Sequence, residues 1–344
     1  MALAHIEGIA VRGIVTALPA GVEDVTDVAA RFGSDIAGRI ATATGIRRRH
    51  IAAPDQCMSD LAVPAARDVL DSLGWAPDSV DLLITVTQTP DHPLPATACL
   101  LQSRLGLGRH CAAFDVGLGC SGYVYGLWLA ASLLASMGRG RALLVAGDTT
   151  SRTLDPTDRA VAPLFGDAAS VTALEHVAGA APMIFNLGSD GAGAPYLIQA
   201  GGGTRQPDGP KLFMDGTQVF AFTLREVPRA ITATLDSAGL TIRDFDHVVL
   251  HQANEMMVRR LGQKIGATAS QLVLALADRG NTSSASIPLA ITDSLGEAAQ
   301  VGCLKLLLSG FGVGWSWGTA IITADHLGVC RTLVLDAATV PVSG

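Results

Sequence analysis

The chain is expected to fold as an α/β protein made of two related halves, and three observations predict this. First, "LDSLGWAPDSVDLLITV" (70–86) is echoed by "LDSAGLTIRDFDHVVLH" (235–251): Leu70, Asp71, Ser72, Gly74 and Asp81 recur 165 positions later as Leu235, Asp236, Ser237, Gly239 and Asp246. Second, the same spacing pairs "GLGCSGYVYGL" (117–127) with "TSSASIPLAIT" (282–292), and Gly147 after "ALLVA" with Gly312 after "LLLSGF". Third, "DVGLGCSGYVYGLWLAASLLASMG" (115–138) follows its opening Asp with 23 uncharged residues, yet lies between the strand-like runs "CAAFDV" and "ALLVAGD". A helix apolar all round in that position is a buried central helix rather than a bilayer span.

The elements follow in the same order in each half. "LDSLG" and "LDSAG" read as helix ends stopped by glycine, followed by a short loop and a buried strand, "LLITV" or "HVVL". A turn of small residues then opens a helix, and an apolar strand closes the unit. The halves are placed at 1–178 and 179–330, with a C-terminal extension over 331–344. Charged residues make up 16% of the chain, against about 25% in typical proteins, so a large buried fraction and a subunit interface are expected. The net charge of −7 without a long basic run argues against nucleic acid. Glu7 and Arg12 interrupt the apolar N-terminus, unlike a signal peptide. The cysteines at 57, 99, 111, 120, 303 and 330 form no CxxC pair and no zinc-type spacing, which fits a reduced cytoplasmic protein with free thiols and no metal.

Several residues suit chemistry, and each has a plainer reading beside it. Cys120 sits among glycines at a strand-to-helix turn, where free N–H groups and the helix dipole would favour a thiolate nucleophile; free cysteine is also a common small core residue. His251 is delivered by the strand Val248–Val249–Leu250 to the carboxyl end of a sheet, beside Gln252 and Asn254; that is where open α/β sheets bind ligands, although a lone histidine is often structural. Asn281 in "DRGNTSSASIPLA" is a site residue or an ordinary helix cap. "SGFGVGWSWGTAII" (309–322) offers backbone N–H groups to an oxyanion, or is a simple hairpin. "GAGAPY" (191–196) lacks the third glycine of a dinucleotide fingerprint.

Taken together, "GCSG", "HQAN", "GNTSSAS" and "FGVGWSWG", with "TGIRRRHIA" (44–52), "LDPTDRA" (154–160) and "LFGDAAS" (164–170), resemble beta-ketoacyl-ACP synthase III of the thiolase superfamily over residues 5–323. The resemblance implies a thiolase-like fold, with two βαβαβ-type halves in five αβαβα layers. It implies the trio Cys120, His251 and Asn281, with oxyanion N–H groups from Cys120 and Val313. Cys120 would take an acyl group from acyl-CoA or an acyl carrier, and a malonyl thioester on a carrier protein would then be decarboxylated and condensed. No cofactor is implied beyond the coenzyme A thioester as substrate, and a homodimer is. The family's contacts to coenzyme A and substrate map onto Arg39, Thr44, Arg159, Phe165, Met214, Gly216, Thr217, Phe220, Asn254 and Phe311.

The chain departs from the family at several of these positions. Arg39 replaces an adenine-stacking Trp, Ala43 an Arg, and Val313 a Gly. Leu94 replaces the Phe common at the acyl-pocket gate, which would admit chains longer than acetyl. Ala221 and Met256 replace two basic carrier-docking positions, so Arg259, Arg260 and Lys264 are the expected substitutes. Alternative functions are acyl transfer from Cys120 to oxygen or nitrogen without decarboxylation, and a non-catalytic partner subunit of a ketosynthase.

Overall fold

A computed structural model describes residues 2–336. In chain order its elements are β1 (Ala2–Ile6), β2 (Ile9–Leu18), β3 (Gly21–Asp24), α1 (Val25–Phe32), α2 (Ser34–Thr44), β4 (Arg48–Ile51), α3 (Met58–Leu73), β5 (Leu82–Val86), α4 (Thr97–Arg104), β6 (Ala112–Val116), α5 (Gly122–Met137) and β7 (Arg141–Asp148). These are followed by β8 (Ala168–His176), β9 (Met183–Ser189), β10 (Leu197–Gln199), β11 (Leu212–Met214), α6 (Gly216–Ala238), β12 (His247–Leu250), α7 (Glu255–Ile265), α8 (Ser286–Ser294), α9 (Gly296–Val301), β13 (Cys303–Gly312), β14 (Ser316–Asp325) and β15 (Val329–Val334).

The sequence echo has a local physical basis. Gly74 ends α3 and Gly239 ends α6, both left-handed, at φ 61° and 64°. Their successors close the same motif: the Trp75 N–H donates to Leu70 O at 2.9 Å and the Leu240 N–H to Leu235 O at 3.0 Å. Asp81 and Asp246 then clasp the start of the neighbouring strand. The Asp81 carboxylate accepts from the Arg141 N–H at 3.1 Å, and that of Asp246 from the Lys305 N–H at 2.7 Å. The clasps set β5 beside β7 and β12 beside β13, both pairs parallel.

Two large sheets result, one ordered β15-β2-β8-β7-β5-β6 and the other β1-β9-β14-β13-β12. α5 and α8 lie between them. Tyr123, Leu127 and Leu134 of α5 and Ile287 and Ile291 of α8 are buried with Ile84 and Leu144 of one sheet and Phe185 and Leu308 of the other. α3 covers the outer face of the six-stranded sheet through Leu61, Ala65 and Val69. α6 and α7 cover the five-stranded sheet through Phe222, Ile231, Val258 and Leu261. Each large apolar side chain fully buried contributes about 1.5–3 kcal/mol, which places the uncharged α5 in the middle layer. Among the described residues no helix is long and apolar enough to cross a membrane.

The strands do not follow the expected division by chain order. β1 pairs with β9 in the five-stranded sheet, and β15 pairs with β2 in the six-stranded one. The stretch expected as an extension therefore begins inside β15, while 337–344 lies outside the described residues.

An added Cβ at Gly74 or Gly239 meets no atom within 4 Å. Gly74→Ala and Gly239→Ala should therefore each destabilise by the cost of the left-handed conformation alone, about 1–2 kcal/mol. Denaturant unfolding checks this, with similar losses expected at both positions.

Candidate active site

Cys120 lies in the tight turn between β6 and α5. The turn closes through Leu118 N–H to Val116 O at 2.9 Å and Gly122 N–H to Gly119 O at 2.7 Å. The backbone of β13 passes directly against it: a Cβ on Gly312 would stand 2.8 Å from Cys120 Cβ and 3.1 Å from Sγ, and one on Gly310 2.8 Å from Cys120 O. Ser121 and Ser316 join their hydroxyls across the same contact at 2.7 Å. Cys120 is 9% exposed. It opens onto a cavity of about 750 Å³ that also reaches Gln88, Phe165, Leu197, Ser283 and Val313.

Burial pushes the Cys120 thiol up to about 12, the Asp148 carboxylate adds to this, and a hydrogen bond from Ser283 opposes it. The helix N-terminus was expected to favour thiolate. Such a terminus contributes at most about 2 kcal/mol, whereas moving a thiol from 9.0 to about 12 corresponds to about 4 kcal/mol. Desolvation is the larger effect, and the resting group is a thiol.

His251 follows β12, and its N–H donates to Ser309 O of β13 at 2.8 Å. Its ring is 2% exposed and packs edge-on against Phe311, with centroids 5.4 Å apart at 84°. Burial lowers it to about 3, so the imidazole is neutral at pH 7. Its Nδ1 lies 2.6 Å from Ser286 Oγ, which also accepts the Gln252 N–H at 3.5 Å. A hydroxyl can donate once and accept twice, so this bond occupies Nδ1 in either tautomer and leaves Nε2 as the ring's free nitrogen.

Asn281 is held by its backbone between Leu164 O, at 2.9 Å, and the Gly166 N–H, at 3.0 Å. Its side-chain Oδ1 accepts the Ser283 N–H at 2.9 Å, so the amide nitrogen is the end left to donate. Arg49 braces the same segment by donating to Phe165 O at 2.6 Å. The trio thus shares one scaffold: Cys120 touches β13 at Gly312, His251 bonds it at Ser309, and Asn281 bridges to the cavity-lining Phe165.

Other expected site residues are dispersed. Phe311 is buried against His251. Arg39 and Arg159 are exposed, without a carboxylate partner among the described residues. Thr44 donates its hydroxyl to Ile40 O at 2.7 Å within α2. Asn254 caps α7 by accepting the Met257 N–H at 2.8 Å. Gly216, Thr217 and Phe220 lie on the first turns of α6, and Met214 ends β11. None of these lines the Cys120 cavity. Leu94, expected at the acyl-pocket gate, is 86% exposed and does not line that cavity, whose wall includes its neighbour Pro93. Of the expected docking cations, Arg259 pairs with Glu255 at 2.7 Å and Lys264 donates to Leu224 O at 2.7 Å, while Arg260 is exposed.

Sequence reasoning missed Asp148, Ser283 and Ser286. Asp148 ends β7 fully buried and accepts from the Gln88 N–H at 2.7 Å and the Ser284 hydroxyl at 2.7 Å. The signal available was a carboxylate at the end of an apolar strand, and three small polar residues after Asn281.

Two family descriptions match the chain: 3-Oxoacyl-[acyl-carrier-protein (ACP)] synthase III over residues 114–198, and its C-terminal part over 235–324. The beta-ketoacyl-[acyl-carrier-protein] synthase III of Symbiobacterium thermophilum is 39% identical, over 81% of this chain and 87% of that one. The crystal structure of a 3-oxoacyl-(acyl-carrier protein) synthase from Burkholderia xenovorans superposes with TM-score 0.95 at 39% identity, covering 97% and 99% of the two chains. The priming beta-ketosynthase of the R1128 polyketide pathway superposes with TM-score 0.83 at 30% identity, covering 95% and 98%.

The buried neutral imidazole carries a pH signature. An unfolded histidine titrates near 6.5, whereas His251 in the fold is lowered to about 3. Between these values the unfolded chain binds a proton that the folded chain does not, so His251 makes stability fall as pH falls from 6.5 towards 3. His251→Gln should flatten part of that slope, read from denaturant midpoints across pH 4–7. An unchanged slope would show that the ring is not held neutral.

Proposed function

The chain belongs to the 3-oxoacyl-[acyl-carrier-protein] synthase III family, and from that premise we propose that Cys120 takes an acyl group from a thioester donor and condenses it with a malonyl thioester. In the first half-reaction the Cys120 sulfur attacks the donor carbonyl. The N–H groups of Cys120 and Val313 hold the oxyanion, and the donor thiol leaves. In the second, the bond from malonyl carbon to carboxylate breaks and its electrons pass to the thioester oxygen. The resulting enolate carbon attacks the acyl-Cys120 carbonyl, a carbon–carbon bond forms, and the Cys120 sulfur is expelled.

One observation carries the decarboxylative reading. His251 Nδ1 is taken by Ser286 and Asn281 Oδ1 by the Ser283 N–H, so Asn281 is left with its Nδ2–H donors, and His251 offers Nε2–H when Ser286 donates to Nδ1. An enolate oxygen needs donors rather than a base, and preorganised donors in a dry site are worth several kcal/mol.

The cavity beside Cys120, about 750 Å³, supports acyl groups longer than acetyl. Arg39 and Arg159 are available for coenzyme A phosphates. A groove of about 320 Å³ lined by Ala221, Leu224, Arg225, Pro228, Arg229 and Lys264 supports carrier docking. There Arg225 and Arg229 of α6, both paired with Glu226, stand with Lys264. The exposed Leu94 and the edge strand β6 support a homodimer, and the free cysteines support a cytoplasmic setting.

His251→Ala and Asn281→Ala should each lower condensation by about 100- to 1000-fold while acyl-Cys120 still forms. Intact-protein mass spectrometry reads the first half-reaction, and carbon dioxide release reads the second. Equal loss of both would contradict the division of roles.

A further inference from the structure

Two backbone N–H groups, of Cys120 and Val313, point to an oxyanion site only if both are held in a fixed direction. Neither has a partner among the described residues, and both residues line the same cavity. Val313 sits in the turn between β13 and β14, flanked by Gly312 and Gly314, the latter at φ 141°. Glycine leaves a backbone free to turn its amide away, so other contacts must fix this N–H. On one side the turn is tied to Asp190, just after β9. The Asp190 N–H donates to Trp315 O at 2.9 Å, and the Trp315 N–H to Asp190 O at 2.7 Å. The Trp315 ring stacks on Phe222 of α6, with centroids 4.6 Å apart at 5°. On the other side the tie is a pair of hydroxyls. Ser316 Oγ lies 2.7 Å from Val313 O and 2.7 Å from Ser121 Oγ. Ser121 and Ser316 are 1% and 5% exposed, and neither lines the cavity.

These two bonds fix the hydroxyl hydrogens. A carbonyl only accepts, so the single Ser316 proton goes to Val313 O. The Ser316 oxygen is then left to accept, and Ser121 donates to it. The bonds therefore run one way, from Ser121, the residue after Cys120, through Ser316 to Val313. We propose that Ser316 is a positioning residue for the oxyanion site and that Ser121 acts through it: together they lock the turn that carries the Val313 N–H to the turn that carries the Cys120 N–H. This rests on the reading of those two N–H groups as the oxyanion donors.

The consequence differs from that of losing His251 or Asn281, which serve the enolate and so the second half-reaction. The oxyanion on the acyl carbonyl forms twice, once when Cys120 attacks the donor and once when the enolate carbon attacks acyl-Cys120. A loosened turn should therefore slow both half-reactions. Preorganised donors stabilise a developing charge because they need no reorientation as it forms. The loss should then appear in the rate rather than in donor binding. Because Ser121 reaches Val313 only through Ser316, the two serines should behave as one unit.

The experiment compares the parent with Ser316→Ala, Ser121→Ala and the double variant. Rapid-quench mass spectrometry gives the maximal rate and the donor half-saturation of acyl-Cys120 formation from acetyl- or hexanoyl-CoA. Carbon dioxide release from a malonyl thioester, measured on enzyme acylated beforehand, gives the second half-reaction. Infrared difference spectroscopy, with the donor isotope-labelled at its carbonyl carbon, gives the carbonyl stretch of acyl-Cys120. Misplacing a group by about 1 Å can cost about 100-fold. Ser316→Ala should therefore lower the maximal rate of both half-reactions by about 10- to 100-fold, with donor half-saturation nearly unchanged. Its carbonyl band should move to higher wavenumber, towards that of the free thioester, as the N–H bonds weaken. Ser121→Ala should show the same changes to a smaller extent, and the double variant should match Ser316→Ala alone. Parental rates in Ser316→Ala would overturn the proposal, and so would a rate loss with the band unmoved or losses that add in the double variant. Should Ser316→Ala not fold, Ser121→Ala decides, since it leaves the Ser316 bond to Val313 in place; parental rates and an unmoved band there would overturn it. A parent that never acylates Cys120 would instead remove the nucleophile reading, and a parent band already at the free-thioester position would remove Cys120 and Val313 as the oxyanion donors.

Discussion

The backbone of β13 runs so close beneath the Cys120 turn that glycine is needed at 310 and 312, since any Cβ there would meet the carbonyl or side chain of Cys120. This contact joins the two sheets at the reaction centre. From it follow the burial of the thiol, the position of His251, which bonds β13 three residues before Gly312, and the direction in which Val313 emerges. The central helices supply the apolar packing that keeps the contact shut. Because interiors are close-packed and transmit strain, a displacement at either sheet would be felt at the sulfur.

Desolvation sets the electrostatic character of the whole site. It holds the cysteine protonated, the histidine neutral and Asp148 above the ordinary carboxylate range. Few ions face one another inside, and specificity comes from which end of each polar group is occupied. Ser286 occupies one imidazole nitrogen and the Ser283 N–H occupies one amide oxygen; what remains is the amide N–H groups and the second imidazole nitrogen. The chain has spent small hydroxyl residues, not charges, on orienting the machinery.

Much of this was legible beforehand. Gly74 and Gly239 marked helix ends because left-handed caps demand glycine, and the apolar run after Cys120 marked the middle layer because nothing on it could face water. Cys120, His251 and Asn281 stood out through the small or polar residues around them. What stayed hidden depends on partners far apart in the chain. "AGDTT" alone does not show that Asp148 meets Ser284, 136 positions later, and "NTSSAS" reads equally well as a capping sequence. The helix dipole was visible at Cys120, but the larger opposing burial was not, since burial belongs to the folded whole. Leu94 was expected at the gate through the family resemblance, and its 86% exposure in the single chain was not legible from the sequence.

The exchange of β1 and β15 between sheets bears on how the molecule comes off the ribosome. β1 is made well before its partner β9, which begins at Met183, and β2 waits for β15, which begins at Val329. The nascent chain thus exposes an unpaired edge on β2 until the residues after Val329 have left the ribosome. Such edges are templates for pairing with other chains. A ribosome pause or a truncation before Val329 would leave that sheet still open on one side.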